Sequence, residues 1–177
     1  MKQAKNDMII SMKDIFVEFD GEVILNHINL DIKDKEFVTI LGPSGCGKST
    51  LLSIIAGLIK PEDGTIVVHN SDGSLGYPQV GYMLQHDHLL DWRSIYQNVT
   101  LGLEIHNSLT EENLAYVNGL LDEYGLGAFK DKRPGELSGG MKQRAALIRT
   151  MALKPSLLLL DEAFSALDYQ TRLVVSA

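Results

Sequence analysis

The glycine-rich stretch GPSGCGKST, residues 42–50, has residue types and a spacing that could support chemistry. It matches the pattern G-x-x-x-x-G-K-[ST] and lies between a predicted strand and a predicted helix. Glycines let successive backbone N–H groups turn toward a phosphate, and the helix N-terminus adds its positive end. In this pattern Lys48 reaches the β- and γ-phosphates, and the Ser49 hydroxyl binds Mg²⁺. The alternative is a glycine-rich turn that only caps a helix; the strand and helix on either side favour nucleotide binding.

Every residue of this stretch, the phosphate loop, is expected to contact the nucleotide. The residues concerned are Gly42, Pro43, Ser44, Gly45, Cys46, Gly47, Lys48, Ser49 and Thr50. Cys46 occupies a variable position of the pattern, where it contributes a backbone N–H. No catalytic role is therefore predicted for its thiol.

A second candidate stretch is LLLLDE, in which the leucines 157–160 lead directly into Asp161 and Glu162. At the end of a buried strand beside the phosphate loop, Asp161 can hold Mg²⁺ through water. Glu162 can accept a proton from a water that attacks the γ-phosphate, or orient that water. The alternative is a pair of solvated carboxylates, which would be the default without a phosphate loop.

Composition excludes several classes of protein. The chain has 16 Lys and Arg against 23 Asp and Glu, giving a net charge of −7 with no long run of either sign. A large surface for nucleic acid is therefore not expected. No apolar stretch approaches the roughly 20 residues of a membrane span, and the first residues do not form a signal peptide. The single cysteine suits a reducing compartment, so we expect a cytosolic protein.

The apolar pattern before the phosphate loop predicts strands. Residues 8–19 and 23–32 read as two strands joined at Asp20-Gly21, a hairpin turn signal. The run EFVTILG, residues 36–42, does not alternate, which predicts a strand buried on both faces. A strand followed by a glycine-rich turn and a helix is the beginning of an α/β unit.

After the phosphate loop a helix is predicted over residues 49–58, stopped by Pro61. Further strands are expected near residues 65–69 and 79–84. A last helix from about Ser138 leads into the leucine strand. The fold class predicted from these elements is α/β.

Between them, residues 92–154 follow a helical pattern, which predicts a helical lobe inserted into the α/β core. Ser108 and Glu111 have the spacing of a capping box, and Gly125 followed by Leu126 is typical of a helix C-terminus. One apolar face of the helix between them carries Leu114, Val117 and Leu121.

The stretch LSGGMKQR, residues 137–144, indicates a protein family when it is combined with these motifs. Here the sequence resembles the ATPase subunit of ATP-binding cassette (ABC) transporters across nearly all of its length. LSGG resembles the family signature, the phosphate loop its Walker A motif, LLLLDE its Walker B strand, and SALD at 165–168 its D-loop. The resemblance implies a P-loop NTPase fold with an antiparallel β subdomain and an inserted helical subdomain, here with the last core strands missing.

The resemblance also implies roles for single residues. Gln85 corresponds to the Q-loop glutamine, Phe19 to the aromatic residue that stacks on adenine, and Asp168 to a D-loop residue at the nucleotide. A second anion site, at the start of a helix, is implied for Ser138, Gly139 and Gly140. The implied catalytic residues are Glu162, Lys48 and Gln85. The implied Mg²⁺ ligands are Ser49, Gln85 and Asp161.

Because one subunit cannot aim both anion sites at one phosphate, the resemblance implies a head-to-tail homodimer with two ATP molecules between the subunits. It implies one incomplete domain: residues 1–91 form the β/α core with Walker A, residues 92–154 the helical subdomain, and residues 155–177 carry Walker B and the D-loop.

Residues 88–104 are similar to the segment after the Q-loop in the nitrate, sulfonate and taurine importer branch. That branch commonly has Leu-Leu-Pro-Trp-Arg, and here Asp91 takes the proline position. The segment would form a groove for a short helix of a membrane permease. The implied system includes an external solute-binding protein, with this subunit peripheral on the cytoplasmic face of the membrane.

Two other functions stay open from the sequence alone. One is a soluble ABC ATPase acting on nucleic acid or the ribosome, which normally carries basic segments or further insertions. The other is a non-catalytic fragment. His86 and His88 beside Asp87 could suggest a metal site, although polar residues spaced along a loop are usually solvated.

The last residues, YQTRLVVSA, predict a helix inside which the sequence stops. In the family, a further core strand follows and carries a switch histidine; none of the five histidines here follows the D-loop. We therefore expect a truncated piece of a longer subunit. Without the strand that separates Walker A from Walker B, the apolar faces of FVTI and LLLL should be exposed.

Overall fold

A computed structural model describes residues 8–69 and 79–161. The chain divides into two compact units, residues 1–80 and residues 81–177. The phosphate loop belongs to the first unit. Gln85, the signature stretch and Asp161 belong to the second.

An antiparallel sheet of three strands, in the order β2-β1-β3, builds the first unit. Its elements are β1 (Met8–Phe19), β2 (Glu22–Lys33), α1 (Lys48–Ile55) and β3 (Asp63–Val68). The predicted hairpin is confirmed: Phe19 pairs with Glu22, and Asp20 and Gly21 both have positive φ, as a tight turn between twisted strands requires. The buried apolar residues of this unit include Ile10, Met12, Ile15, Val17, Leu25, Ile54 and Ile55.

The predicted buried strand over residues 36–42 is wrong for the described structure. These residues form no strand, and Phe37 and Leu41 are 63% and 86% exposed. The physical reason is the lack of partners, because a central strand must hydrogen-bond on both sides and no described strand pairs with this segment. The expected exposure of the FVTI side chains is confirmed for residues 37–39, while Ile40 is partly buried.

Helix α1 ends three residues before the predicted position. Gly57 has φ of +73°; its N–H donates to the Ile54 carbonyl, and the Leu58 N–H donates to the Ser53 carbonyl. This pair of bonds is a Schellman motif, which satisfies the last carbonyls of the helix. The stop signal is therefore Gly57 followed by an apolar residue, and Pro61 lies beyond it.

Helices dominate the second unit. Its elements are α2 (Ile95–Val99), α3 (Leu101–Ile105), α4 (Glu111–Glu123), α5 (Gly139–Met151), β4 (Val80–Met83), β5 (Leu157–Leu160) and two short 3₁₀ turns. The core of this unit includes Ile95, Val99, Leu103, Val117, Leu121, Leu126, Leu147 and Ile148. Among residues 8–69 and 79–161, no helix is both long and apolar enough to cross a bilayer.

Helix α4 begins two residues later than the capping-box spacing predicts. Thr110 is the cap: its side-chain oxygen accepts the Asn113 N–H at 3.2 Å. The Ser108 hydroxyl instead donates to the Leu103 carbonyl, so Ser108 closes helix α3. The C-terminal prediction is confirmed, since Gly125 has φ of +69° and the Leu126 N–H donates to the Leu121 carbonyl.

Strands β4 and β5 form a sheet of their own in the described residues. The expectation that the apolar face of LLLL would be exposed is wrong: Leu159 is buried, and Leu158 and Leu160 pack against the helical core. The leucine strand therefore obtains its apolar cover from the helices.

Candidate functional site

The phosphate loop is shaped by glycines and held by its own lysine. Helix α1 begins at Lys48, and Gly45 and Gly47 both have positive φ, at +81° and +91°. The Lys48 ammonium donates to the Gly42 carbonyl at 2.9 Å and to the Pro43 carbonyl at 2.7 Å. The cation is thus held over the loop, and the loop leads into the N-terminal end of a helix. That combination suits a polyphosphate.

Gly47 is required for two independent reasons. Its φ of +91° is one that L-residues rarely adopt, and a Cβ there would lie 2.9 Å from both the Ile24 carbonyl oxygen and the Leu25 side chain. Gly45 also has positive φ, but a Cβ there would meet open space. Strand β2 therefore approaches the loop so closely at Gly47 that only glycine fits.

We predict that Gly47→Ala in the full-length subunit lowers the free energy of unfolding by about 1–3 kcal/mol, the usual range for a strained backbone position. Nucleotide affinity should fall as well, because the loop must shift away from strand β2. Thermal melts and ATP titration measure the two effects. The matched control is Gly119→Ala, since Gly119 lies inside helix α4 with open space at its Cβ. Equal stability and equal ATP affinity in the Gly47 variant would contradict the assignment.

In the second unit, Gln85 and Asp161 follow strands that end at the same edge. The Asp161 N–H donates to the Met83 carbonyl at 3.0 Å, so the ends of β4 and β5 meet two residues before Gln85. Asp161 is buried, at 7% exposure, and Gln85 is exposed. The structure therefore brings together the backbone of two of the three predicted Mg²⁺ ligands. Oxygen donors of this kind suit a hard cation.

The signature stretch opens helix α5 as predicted. Ser138 is the N-cap, and its hydroxyl accepts the Met141 N–H at 3.4 Å. Ser138 and Gly139 are exposed. The preceding turn is held by Glu136, whose carboxylate accepts the Arg133 N–H and the Lys132 ammonium. Those bonds, the backbone one first, lower the pKa of Glu136.

Residues 84–94, the Gln85 loop, present two exposed apolar side chains. Leu84 is 43% and Trp92 is 72% exposed. Next to Trp92, Arg93 pairs with Glu104 at 2.5 Å; the hydrogen bond from Arg93 lowers the pKa of Glu104.

Two polar side chains that sequence reasoning did not single out fix this loop. Asn98 is fully buried; its side-chain oxygen accepts the Leu90 N–H at 2.7 Å, and its NH₂ donates to the Leu90 and Ser94 carbonyls. Arg149 of helix α5 also contacts the loop. No signal in the sequence indicated either residue, because the burial of Asn98 in its short helix and the partners it therefore needs are visible only in the structure.

The remaining predicted site residues are placed as follows. Phe19 is half-exposed, at 47%, at the end of strand β1. Glu162 and Asp168 lie outside the described residues. The rings of His86 and His88 meet edge to face at 5.9 Å. No group of three or more His, Cys, Asp or Glu side chains within the described ranges is arranged to hold a metal ion.

The family model described as "ABC transporter" matches residues 25–165. This range includes the phosphate loop, the Gln85 loop, the signature stretch and the leucine strand. The chain belongs to the ABC transporter family. Its fold is that of the family's ATP-binding domains, which solved structures of relatives share.

Among curated ABC transporter relatives, the chain is 56% identical over 146 residues to the uncharacterized ATP-binding protein YtlC of Bacillus subtilis, covering 82% of this chain and 56% of that protein. It is 44% identical over 169 residues to the bicarbonate transport ATP-binding protein CmpC of Synechocystis, covering 94% of this chain and 25% of that protein. The nitrate import protein NrtC of Synechococcus elongatus is 42% identical over 152 residues, covering 85% and 23%. The chain spans 56% to 63% of the length of its first curated relatives.

Solved ABC transporter structures share the fold. CbiO1 of Clostridium perfringens, part of the ABC transporter complex cbiONQ, gives a TM-score of 0.79 at 29% identity, covering 97% of this chain and 72% of that one. A dimeric post-hydrolysis state of the ATP-binding cassette MJ0796, bound to ADP and Pi, gives 0.77 at 31% identity, covering 92% and 78%.

Proposed function

We propose that this chain is the ATP-binding and ATP-hydrolysing part of an ABC importer subunit, which couples ATP-driven closure of a dimer to transport through a membrane permease. The observation that carries the proposal is the geometry of the phosphate loop. Gly47 allows a close approach that no other residue permits, and Lys48 is held over the loop by two carbonyls. This arrangement suits a nucleoside triphosphate.

In this proposal, backbone N–H groups of the phosphate loop, which every residue from 42 to 50 except Pro43 carries, bind the β- and γ-phosphates. Lys48 exchanges its contacts with the Gly42 and Pro43 carbonyls for phosphate oxygens, which attract a cation more strongly. Phe19, exposed at the end of strand β1, stacks on the adenine ring. In the domain arrangement we propose, residues 1–91 hold the nucleotide, residues 92–154 carry the signature stretch, and residues 155–177 carry the carboxylates.

Hydrolysis needs a cation and a positioned water. Ser49, Gln85 and Asp161 would hold Mg²⁺, which neutralises charge on the transferred phosphoryl group. Glu162 follows Asp161 directly and is the proposed general base for the attacking water. The hydrogen bond from Asp161 to Met83 supports this assignment, because it fixes the chain immediately before Glu162.

A second copy of the subunit would complete the site. Ser138, Gly139 and Gly140 offer N–H groups at the exposed start of helix α5, and Asp168 would contribute from the D-loop. The dimeric structure of MJ0796 bound to ADP and Pi supports a dimer, and we propose that the two copies are arranged head to tail. Each ATP would lie between the phosphate loop of one copy and the signature stretch of the other.

The permease would contact the Gln85 loop, where Leu84 and Trp92 are exposed. The similarity to CbiO1, part of a transporter complex, supports such a partner. The subunit would then lie on the cytoplasmic face of the membrane, and a solute-binding protein would act on the other side. Relatives named for nitrate and for sulfate or thiosulfate support a solute of the nitrate, sulfonate or taurine type.

Copurification tests the assignment of function. The full-length subunit should recover a membrane permease, and the complex should hydrolyse ATP faster than the isolated subunit. ATPase activity stimulated by nucleic acid, with no permease recovered, would favour the soluble alternative. Absence of turnover in both preparations would favour the non-catalytic one.

A further inference from the structure

The side chain of Arg149 joins helix α5 to the Gln85 loop. One guanidinium nitrogen donates to the His88 carbonyl and the other to the Asp87 carbonyl, each at 2.7 Å. These acceptors lie 61 and 62 residues away along the sequence. Two parallel bonds from a planar fork fix both the distance and the orientation of what they hold.

The backbone of the Gln85 loop is strained where Arg149 contacts it. His88 has φ of +45°, a left-handed conformation that is unfavourable for a non-glycine residue and persists only when its surroundings hold it. The Asp87 carboxylate accepts the Leu89 N–H at 3.0 Å. Its charge favours the Arg149 cation, while burial, the larger effect, lowers the pKa of Arg149.

The position of Arg149 within helix α5 determines which part of the molecule the contact connects to the Gln85 loop. Arg149 lies in the last turn of the helix that Ser138 caps. A rise of 1.5 Å per residue separates the two by about 16 Å. Because α5 is one continuous helix from Gly139 to Met151, a displacement at the signature stretch would be carried along it to the Asp87 and His88 carbonyls.

We propose that Arg149 is a positioning residue that makes the Gln85 loop move with helix α5. Resting on the proposed function, it would link closure of the signature stretch on ATP to the loop between Gln85 and the exposed Trp92. Without the guanidinium, ATP would still bind, but its binding would no longer change the surface offered to the permease.

Trp92 provides the measurement, because it is the only tryptophan in these 177 residues and lies four positions after His88. The full-length subunit is prepared with any tryptophan outside this sequence replaced by phenylalanine. Mg-ATP binding is measured by calorimetry, the Trp92 emission change by fluorescence, and ATPase with and without permease by phosphate release. Arg149→Met keeps the apolar stem and removes the fork.

In the wild type, ATP should change the Trp92 emission and the permease should stimulate ATPase. In Arg149→Met, ATP affinity should stay close to wild type, while both responses fall by about fivefold or more, the scale of a coupling between sites. Arg149→Lys should give intermediate responses, because an ammonium is a point charge that cannot reproduce the fork. The matched control is Lys154→Met, which removes a nearby cation paired with Glu112 rather than with the loop.

The outcomes distinguish a failure of the proposed function from a failure of the role proposed for Arg149. If wild-type protein binds no ATP, the proposed function fails and this inference falls with it. If it binds ATP but Trp92 does not respond, or if Arg149→Met responds fully, the inference alone is overturned. A purely structural arginine would lower the melting temperature and leave both responses intact. If Arg149→Met does not fold, a full wild-type response in Arg149→Lys overturns the proposal.

Discussion

Replacing Lys48 by alanine in the full-length subunit should abolish measurable turnover, with a loss of at least about 10²–10³, the usual effect of removing one donor to a developing negative charge. Nucleotide binding should weaken too, because the β- and γ-phosphates lose a cation that the Gly42 and Pro43 carbonyls hold over the loop. Phosphate release and ATP titration measure the two losses.

The control for this variant is Lys60→Ala. Lys60 is an exposed lysine shortly after helix α1 in the same unit, and its removal should leave turnover unchanged. Lys48 contacts the Gly42 and Pro43 carbonyls and the Cys46 sulfur, which all belong to exposed residues of the loop, so its loss should change stability little. Unchanged ATPase activity in Lys48→Ala would contradict the prediction that residues 42–50 bind phosphate.

Replacing Glu162 by glutamine should separate binding from hydrolysis. The amide keeps the size of the side chain but cannot accept a proton, so ATP binding should persist while hydrolysis slows by about 10²–10⁴, the span for a lost general base. Because ATP then stays bound between two subunits, the variant should accumulate as a dimer in size-exclusion chromatography with ATP. Glu123→Gln, an exposed carboxylate on helix α4, is the matched control.

Two outcomes would count against that role. A Glu162→Gln variant that hydrolyses ATP at the wild-type rate would exclude Glu162 as the base. A variant that is slow but remains monomeric with ATP would leave the base assignment standing and contradict the proposed ATP-bound dimer.

Local signals in the sequence were sufficient wherever the backbone itself decides the structure. The Asp20-Gly21 hairpin and the Gly125 helix stop were both predicted, because a residue with positive φ determines each. The same signal was present at Gly57, followed by Leu58, but the prediction gave the stop to Pro61. A glycine followed by an apolar residue is therefore the better guide to where these helices end.

Tertiary context decided the features that sequence did not predict. Residues 36–42 have the apolar character of a buried strand, yet in the described structure no strand pairs with them and Leu41 is 86% exposed. Strand propensity cannot supply the missing partner. The leucines of β5 have the same character and are covered, because the helices of the second unit pack on them.

The candidate site divides in the same way. The phosphate loop and the carboxylates were predicted from residue types and spacing, since each chemistry requires fixed neighbours along the chain, and the signature stretch was predicted from its resemblance to the family. The bonds from Asn98 and Arg149 to the Gln85 loop could not be predicted, because they join side chains to backbone carbonyls and leave no pattern in the sequence. Arg149 in particular reaches carbonyls 61 and 62 residues away.

Hydrogen exchange of the full-length subunit, with and without a non-hydrolysable ATP analogue and Mg²⁺, tests the central claim most directly. Analogue binding should slow exchange in peptides covering residues 42–50 at every protein concentration. Peptides covering residues 138–141 should be protected only at concentrations where the dimer forms, because a second copy supplies that contact. Binding of the analogue without protection of residues 42–50 would contradict the account.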